Sequence, residues 1–399
     1  MSYNILGINT SHNSSICVLS DGKIKFFLEE DRLSRRKFDN FPIELLMYIS
    51  KKYHINQIAM GGLDFFPTIN VIDEFYSESY LSKEGDYIIV SDQKLLYQKN
   101  NSEIPKIFSI PSLWEPILSK YFKNVPIIDF QSYHHKIHAL TSFFNSGFKE
   151  SYALIIDGTG SLSYNINKNI RFETESIFKC TYKDDLINPI FKSYREFIPF
   201  SDKKTYPSMA RCYEIITYYL GFKDVEAGKT MGLSSYGKLN SKIPPLLING
   251  KGNPEFFNPQ TLETNLNVRG NEIKEKYKYL FENPETRNDI AFRIQYDCEI
   301  LVEDMVKILI KKENPKNICC AGGFFLNCVN NYKLVKKFPQ INFYFEPLAH
   351  DAGLSIGAAK TIHWLSKSKD TTIRPQKTLY YGPKYSKEEL LRKIDKYLD

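Results

Sequence analysis

The chain of 399 residues lacks the features of several special classes of protein. No apolar run approaches the roughly 18 residues that a membrane-spanning helix needs. The seven cysteines are odd in number and contain no CxxC pair, and most stand in apolar runs. We therefore expect buried free thiols and no zinc–thiolate site. The first residues lack the basic and then apolar pattern of a signal peptide, so we expect a cytoplasmic protein with no membrane association.

Charge of neither sign dominates, since 53 Lys and Arg stand against 46 Asp and Glu, for a formal net charge of +7. Hydrophobic residues make up 42% and charged residues 25%, which excludes wholesale disorder. The length predicts roughly two or three domains. The mild positive charge fits a ligand that carries phosphate, but it does not by itself predict a nucleic-acid partner.

One local pattern occurs twice in the chain. Residues 3–9 predict a buried strand that ends in a polar loop and is followed by a hairpin. Residues 152–157 predict another buried strand, which ends in a polar residue and leads into a glycine-containing turn. We interpret the repeat as a structural duplication, although any two α/β domains can open with a strand.

The duplication predicts two α/β domains, residues 1–150 and 151–369, followed by a tail, residues 370–399. The first domain would contain a helix at 137–145, and the second a long irregular segment at 240–288. Other predicted elements are helices at 42–53, 289–312, 326–337 and 351–365, strands at 317–321 and 343–345, a loop at 93–106, and a last helix opened by a capping box at 386–389.

Three of the seven histidines fall within five residues, at His134, His135 and His138. On a helix, His134 and His138 share one face because they are four residues apart. Two imidazoles at this spacing suit iron or zinc, although two solvent-facing histidines would show the same spacing. A third ligand would come from elsewhere, and Asp351, at the start of a predicted helix, is one candidate.

Two glycine-containing loops predict contacts with a phosphate. Asp157 ends a predicted strand before Gly158 and Gly160, where backbone amides can approach a phosphate. Gly322 and Gly323 lie between a predicted strand and a helix, whose N-terminus favours an anion. Two such loops at corresponding ends of two α/β domains are typical of the actin, sugar-kinase and heat-shock ATPase class, in which the nucleotide lies in the interdomain cleft.

His12 follows the first predicted strand among hydroxyl and amide side chains. Such a histidine suits general-base work near neutral pH, but it could equally be held by hydrogen bonds in a turn. A dense run of charges follows at residues 29–37. Most of these charges would face solvent, whereas Arg32, Arg35 or Lys37 could point toward a phosphate in the cleft.

Taken in order, these segments resemble the NodU/CmcH-type O-carbamoyltransferase family across essentially the whole chain. Each motif alone is modest, but eight of them in the family's order are specific. The first two domains of that family are also similar to the TsaD-type proteins that modify tRNA and share the two-histidine metal site. The motifs are 5–9 with His12, 29–35 with Lys37 and 41–42, 134–139, 157–158, 228–233 with 236–237, 321–323 with 326–328, 351–353 and 381–383.

The resemblance implies a transferase with the duplicated fold named above and a nucleotide in its cleft. Its substrates would be carbamoyl phosphate, ATP and a small-molecule acceptor, and the carbamoyl group would pass through carbamoyl adenylate to a hydroxyl. A carbamoyl adenylate is a mixed anhydride, so its attack by an alcohol needs a base for the proton and a cation beside the phosphate.

The resemblance also implies a role for each site residue. His12 would be the general base. His134, His138 and Asp351 would hold a metal, Fe(II) or zinc, in contact with phosphate. The residues that face the nucleotide or carbamoyl adenylate would be Lys37, Asp157, Gly158, Gly160, Gly322, Gly323 and Asn327, and those that bind the acceptor would be Glu226 and Lys229.

The chain departs from the family's pattern in three places. Asn13 follows His12 where the family usually has an aspartate, and Ala227 stands where an acidic residue often precedes Gly-Lys, with Glu226 one position earlier. The family also usually carries a C-terminal YrdC-like domain that makes the carbamoyl adenylate. Residues 370–399 are too few for a domain of their own, so we expect a YrdC-like protein in trans or a truncated chain. The chain alone would then not turn over carbamoyl phosphate and ATP.

Three alternatives stay open. A TsaD-like threonylcarbamoyl transferase would need a basic tRNA-binding face, for which the charge of +7 gives little support. A kinase or ATPase of the same fold class would rely on Mg²⁺ and carboxylates rather than on paired histidines. A regulatory protein would keep metal and adenylate binding without turnover. The sequence selects no acceptor among sugars, antibiotic precursors, nucleosides and other alcohols, and it allows a homo-oligomer.

Overall fold

The framework of the molecule is a pair of mixed β-sheets. The structure is a computed structural model, and it describes residues 2–62, 75–76, 88–89, 114–164, 170–183, 185–197, 204–260, 272–366 and 375–395. The loop predicted at 93–106 lies outside the described residues. Across the described residues, no helix combines the length and the apolar character that crossing a membrane requires.

Runs of strands are separated by helices along the described chain. The strands are β1 Asn4–Asn9, β2 Ser15–Ser20, β3 Lys23–Glu29, β4 Gln57–Gly61, β5 Phe75–Tyr76, β6 Ile88–Ile89, β7 Ile127–Asp129, β8 Glu150–Ile156, β9 Leu162–Tyr164, β10 Ile170–Thr181, β11 Ile187–Phe197, β12 Leu247–Ile248, β13 Lys251–Gly252, β14 Asn317–Ala321 and β15 Asn342–Phe345. The helices are α1 Asp31–Ser34, α2 Ile43–Ser50, α3 Glu115–Tyr121, α4 His134–Ser146, α5 Met209–Tyr219, α6 Ala227–Ser234, α7 Tyr279–Glu282, α8 Pro284–Glu313, α9 Cys328–Lys337, α10 Leu354–Leu365 and α11 Lys387–Asp395.

The two sheets share one topology. The first has the order β3-β2-β1-β4-β7, and the second has the order β11-β10-β8-β14-β15 with β9 attached to β10. In each, the first strand of the unit is central, with an antiparallel hairpin on one side. Two parallel strands lie on the other side. The predicted duplication is therefore confirmed, and this is the topology of the actin, sugar-kinase and heat-shock ATPase class.

Helices α4 and α10 lie between the sheets and contact each other. Helix α4 packs on the second sheet, although it precedes that sheet in the chain, and α10 packs on the first sheet. Glycines allow this close approach: a Cβ atom at Gly7 would meet the backbone of Ser355, and one at Gly357 would meet Thr141. The last helix of each half therefore packs on the sheet of the other half. The domain boundary at residue 150 stays a prediction.

The helices and strands predicted within the described residues are confirmed, with differences at their ends. Helix α4 begins at His134 rather than at residue 137, because tertiary contacts bury its polar first turn. The helix predicted at 351–365 opens as a 3₁₀ turn, Asp351–Gly353, before α10. The capping box before α11 is present, since Ser386 and Glu389 exchange side-chain-to-backbone hydrogen bonds. All seven cysteines lie in the described chain as free thiols, and six of them are buried.

Candidate active site

Two histidines and two aspartates from three separate segments meet between the sheets. His134 and His138 occupy successive turns of α4, and their ring centroids are 4.7 Å apart. Asp157 directly follows β8, and Asp351 opens the turn before α10. Ligand atoms from these four residues all lie within 4.8 Å of one another. The helical spacing thus puts both imidazoles on one face, and the fold brings two carboxylates to that face.

Contacts from outside the cluster orient its side chains. His134 Nδ1 lies 2.8 Å from the carbonyl oxygen of Gly62, so Nδ1 carries the proton and donates it there. The other nitrogen, Nε2, lies 3.2 Å from Asp157 Oδ2 and 3.5 Å from Asp351 Oδ1. The hydroxyl of Ser11 lies 2.5 Å from Asp351 Oδ2. Residues of both halves therefore fix the direction in which the cluster points.

The nitrogen of His138 shows that the cluster fits a cation. His138 Nε2 lies 3.5 Å from Asp157 Oδ2 and 3.5 Å from Asp351 Oδ1. It is buried and has no hydrogen-bond partner. Buried polar atoms are almost always satisfied, so an unpaired imidazole nitrogen beside two carboxylates matches a metal ligand. Two imidazoles and two carboxylates suit zinc or Fe(II).

The charges in the cluster depend on one another. Burial lowers the pKa of His134, but the carboxylates of Asp351 and Asp157 prevail and raise it to about 9. Burial raises the pKa of Asp157, while the nearby imidazoles of His134 and His138 bring it well below its ordinary value. The pKa of Asp351 is likewise lowered against the effect of burial, by the charges of His134 and His12. Both carboxylates are therefore ionised at neutral pH, as metal ligands must be.

A cavity of about 560 Å³ opens beside the cluster, with residues of both halves in its lining. The side formed by the first half is mostly polar and charged, and the side formed by the second half is mostly apolar. The lining residues are His12, Asn13, Glu29, Asp31, Arg32, Lys37 and Phe38 from the first half, and Asp157, Gly158, Ala210, Tyr213, Glu214, Val225, Ala227, Gly228, Met231, Gly323, Phe324, Leu326, Asn327 and His350 from the second.

His12 stands where the cavity meets the cluster. Its Nε2 lies 3.9 Å from Asp351 Oδ2, and its side chain is 55% exposed. Its Nδ1 lies 3.0 Å from the amide oxygen of Asn13. Because an amide oxygen only accepts, the neutral ring carries its proton on Nδ1 and keeps Nε2 free. Asp351 raises the pKa of His12, and burial opposes that rise without cancelling it. Asn13 therefore supplies the oxygen that orients the ring of His12.

Gly158 and Gly323 both line the cavity. The amide of Gly158 donates to Asp157 Oδ1 at 2.8 Å, which fixes that carboxylate. A Cβ atom at Gly323 would lie 3.2 Å from the same oxygen. The two loops therefore meet at one carboxylate, on the edge of one cavity. The prediction that they belong to two different domains is wrong, because both follow neighbouring strands, β8 and β14, of the second sheet.

Gly160 and Gly322 are not among the residues that line the described cavity. The amide of Gly160 donates to the carbonyl of Glu173 at 2.8 Å, and that of Gly322 donates to Ala349 at 2.8 Å. Gly322 also has φ of +93°, in the region that favours glycine. Both glycines shape the turns that carry the site, and both backbone amides already donate to carbonyl oxygens of the protein.

Lys37 of the first half and Asn327 of the second half both line the cavity. Lys37 is exposed, whereas Asn327 is buried. The Asn327 side chain accepts from the amide of Asn330 at 3.1 Å and donates to Gln295 at 2.7 Å. Asn327 therefore caps α9 as well as facing the cavity.

Glu226 and Lys229 contact each other and are not part of the cavity lining in the described chain. Their charged groups are 2.8 Å apart, on one turn of the chain. Between them, Ala227 and Gly228 do line the cavity. The loop predicted to bind the acceptor thus lies at the cavity's margin, with its two charges paired.

Sequence reasoning missed two aspects of this site. It expected Asp157 at the nucleotide but not among the candidate metal ligands, with which the structure groups it. Asp157 also lines the cavity, so its contact with a nucleotide stays a prediction. It did not single out Glu214, which lies on α5, lines the cavity and pairs with Arg211 at 2.9 Å. The position of Asp157 at a strand end was a signal for a site residue. Nothing in the local sequence marks Glu214.

Fold and site together define a duplicated α/β protein with a cavity and a candidate metal centre between its halves. A sequence profile described as Carbamoyltransferase N-terminus matches residues 4–360. The chain therefore belongs to the carbamoyltransferase family, a family of transferase enzymes, and the resemblance inferred from its motifs is confirmed.

Relatives at modest identity agree with this assignment. An uncharacterised protein of Synechocystis sp. is 27% identical over 410 residues, covering 97% of this chain and 62% of that protein. Nodulation protein NolNO of Sinorhizobium fredii is 25% identical over 362 residues, covering 87% of this chain and 46% of that protein. The chain thus spans about half the length of these curated relatives.

Solved structures with a similar chain course were also found. Full-length HypF in a phosphate- and nucleotide-bound form has a TM-score of 0.47 at 12% identity, covering 92% of this chain and 56% of HypF. The activator of the 2-hydroxyisocaproyl-CoA dehydratase of Clostridium difficile, with bound ADPNP, has a TM-score of 0.42 at 12% identity, covering 91% of this chain and 94% of the activator.

Proposed function

We propose that this chain transfers a carbamoyl group from carbamoyl adenylate to a hydroxyl of a small-molecule acceptor. The observation that carries the proposal is one site in which four candidate metal ligands, a histidine with a free nitrogen and a cavity of about 560 Å³ adjoin. Membership of the carbamoyltransferase family supports the transferred group. The adenylate donor and the hydroxyl acceptor are the further content of the proposal.

The metal of this proposal, Fe(II) or zinc, would be held by His134, His138, Asp157 and Asp351. Three observations support it: the short separation of the ligand atoms, the unpaired nitrogen of His138 and the two ionised carboxylates. When bound, such an ion would act as a Lewis acid that neutralises charge on the adjoining phosphate.

His12 would remove the acceptor's proton. Its Nδ1–H is held by Asn13, so Nε2 is the atom that accepts. A bond forms between the acceptor oxygen and the carbamoyl carbon, and the bond from that carbon to the phosphate oxygen of the adenylate breaks. AMP leaves with the electron pair of that bond, and the acceptor's proton remains on His12 Nε2.

The walls of the cavity suit the two parts of a nucleotide. On the second half, Ala210, Val225, Met231 and Leu326 offer an apolar surface for a purine. Across the cavity, Lys37 offers a positive charge to a phosphate. The adenylate would thus lie with its base on the second half and its phosphate toward the cluster. A YrdC-like protein would be the partner that supplies it.

The test supplies the donor separately from the chain. Metal-loaded protein is incubated with labelled carbamoyl phosphate, ATP, a YrdC-like adenylating protein and a panel of sugars, nucleosides and other alcohols. We expect labelled carbamate on an alcohol and AMP release that both require the chain. Phosphate transfer with ADP release would identify a kinase instead. Label that enters tRNA only when threonine is present would identify the tRNA-modifying alternative, and either result would refute the proposal.

A further inference from the structure

A buried polar network lies away from the candidate metal ligands, in the core between the sheets. Asn145 Nδ2 donates to Glu346 Oε2 at 2.9 Å, and Lys360 Nζ donates to Asn145 Oδ1 at 2.6 Å. All three residues are at most 2% exposed. One amide side chain therefore bridges a carboxylate and an ammonium group where no water reaches them.

The network joins the two elements that carry the ligands. Asn145 lies on α4, two turns beyond His138. Glu346 precedes Asp351 by five residues, and Lys360 follows it by nine on α10. Asn145 thus ties the histidine helix to the chain on both sides of Asp351. The hydrogen bonds described for the side chains of Asn145 and Glu346 go to residues other than the candidate ligands.

Glu346 also fixes the loop that leads to Asp351. Its Oε1 accepts from the backbone amide of Leu348 at 3.2 Å, and its own amide donates to the carbonyl of Cys320 at 2.9 Å. The hydroxyl of Tyr344 lies 3.4 Å from Oε2. Only a few residues separate these anchors from Asp351, so the position of the loop follows from the position of the Glu346 carboxylate.

Stability alone does not account for this network. Buried ion pairs are costly to desolvate, and apolar residues of similar volume are often as stabilising or more so. What the three polar side chains provide, and apolar ones do not, is a fixed distance and direction between α4 and the Asp351 segment. Groups that hydrogen-bond to metal ligands commonly change metal affinity 10–100-fold when they are lost, and a network that positions a ligand segment should act in the same direction.

We propose that Asn145, Glu346 and Lys360 are positioning residues that hold Asp351 at its distance from His134 and His138, and thereby set metal affinity. The inference rests on the metal site of the proposed function. It extends that site from the ligands themselves to a network of other side chains that joins the segments carrying them.

The first test compares two buried carboxylates. Asp297 on α8 is also buried, and it accepts from the backbone amides of Leu246 and Leu247 at 2.6 and 3.3 Å, on elements that carry no candidate ligand. We expect Glu346→Leu to weaken Co²⁺ binding about 10–100-fold and Asp297→Leu to leave it unchanged. Affinity is measured by titration of the full chain, with the visible absorption of bound Co²⁺ as a signature of ligand geometry.

Conservative and partner variants sharpen that comparison. Glu346→Gln keeps the shape and one acceptor oxygen, so we expect a loss below about tenfold. Asn145→Leu should weaken binding as much as Glu346→Leu, because either change removes the bridge. If Glu346→Leu does not fold, Asn145→Leu and Lys360→Met provide the same test. Equal Co²⁺ affinity in the folded network variants and the wild type would overturn the proposal.

Amide hydrogen exchange of the metal-free protein separates this inference from the metal site itself. We expect residues 347–353 to exchange faster in Glu346→Leu and Asn145→Leu than in the wild type, and Asp297→Leu to leave this segment unchanged. If the wild type binds no Co²⁺, the metal site fails, and local exchange alone decides whether the network positions Asp351. Unchanged exchange in both network variants would refute the positioning role.

Discussion

The candidate metal cluster lies beside the cavity and is called here its inner end, and the Glu226–Lys229 turn at its margin is called its outer end. These two ends are built differently. At the inner end, the side chains of His134, His138 and Asp351 are at most 5% exposed, and each is fixed by contacts from other elements. At the outer end, Glu226 and Lys229 have side chains that are 20% and 55% exposed. They pair with each other across one turn of the chain.

This difference follows from how many elements meet at each end. The inner cluster combines α4, the end of β8 and the start of α10, so a change in any of them moves groups that the others hold. The outer pair depends on a single local turn. The fold therefore predetermines geometry at the inner end, where the proposed chemistry needs it, and leaves side chains at the outer end free to rearrange around a ligand.

The largest effect should follow from removing an inner ligand. We expect His138→Ala to reduce bound metal to background and carbamoyl transfer by about a hundredfold or more, because loss of a ligand should cost more than loss of a group that hydrogen-bonds to a ligand. Metal analysis of purified protein and the transfer assay measure both effects.

His54→Ala is the matched control, because His54 is an exposed histidine outside the cavity lining. It should retain wild-type metal content. Equal metal content in His138→Ala and His54→Ala would mean that the inner cluster holds no metal.

The next effect concerns the histidine at the junction of cavity and cluster. We expect His12→Asn to slow transfer by ~10²–10⁴. Metal content and AMP binding should remain close to wild type, because His12 is not among the four clustered ligands. Turnover, metal analysis and AMP titration are measured on one preparation. Wild-type turnover in this variant would leave His12 with only a structural role.

The local sequence pattern was sufficient to predict an element where the element's own residues determine which of them are buried. The strand predicted at 317–321 is found at those residues, and the two sheet openings have the predicted hairpins. The start of α4 could not be predicted, because His134, His135 and Lys136 are buried by tertiary contacts and show no apolar periodicity. For this reason the predicted helix began at residue 137, three residues after the start of α4.

The assembly of the site needed contacts that no local pattern contains. The spacing of His134 and His138 predicted a shared face, and Asp351 could be named as a candidate. The place of Asp157 beside them depends on how the second sheet packs against α4. The buried network of Asn145, Glu346 and Lys360 could not be predicted from local sequence, since Asn145 and Glu346 are 201 residues apart along the chain.

Two glycines allow the backbone near the two ends of the cavity to be compared by substitution with alanine. Gly322 has φ of +93°, and a Cβ atom there would meet the carbonyl of Ile156, so we expect Gly322→Ala to destabilise the fold by about 1–3 kcal/mol. Gly232 lies on α6 with nothing within 4 Å of a Cβ atom, so Gly232→Ala should stabilise it by about 0.5–1 kcal/mol. Urea unfolding measures both, and a stabilising Gly322→Ala would contradict the close approach described for that loop.

The smallest effect belongs to the outer pair. Lys229 lies 2.8 Å from Glu226, but exposed ion pairs contribute little to stability, so we expect Lys229→Ala to leave the thermal transition unchanged. If the loop contacts the acceptor, the variant should raise KM for the acceptor by less than about tenfold and leave kcat and bound metal unaltered. The reason is that a contact equally strong with the substrate and with the transition state contributes to binding and not to the chemical step. Glu226→Ala is the companion variant. A loss of kcat in either variant as large as that of His12→Asn would show that the outer end takes part in the chemistry. The two ends of the cavity would then differ in exposure but not in role.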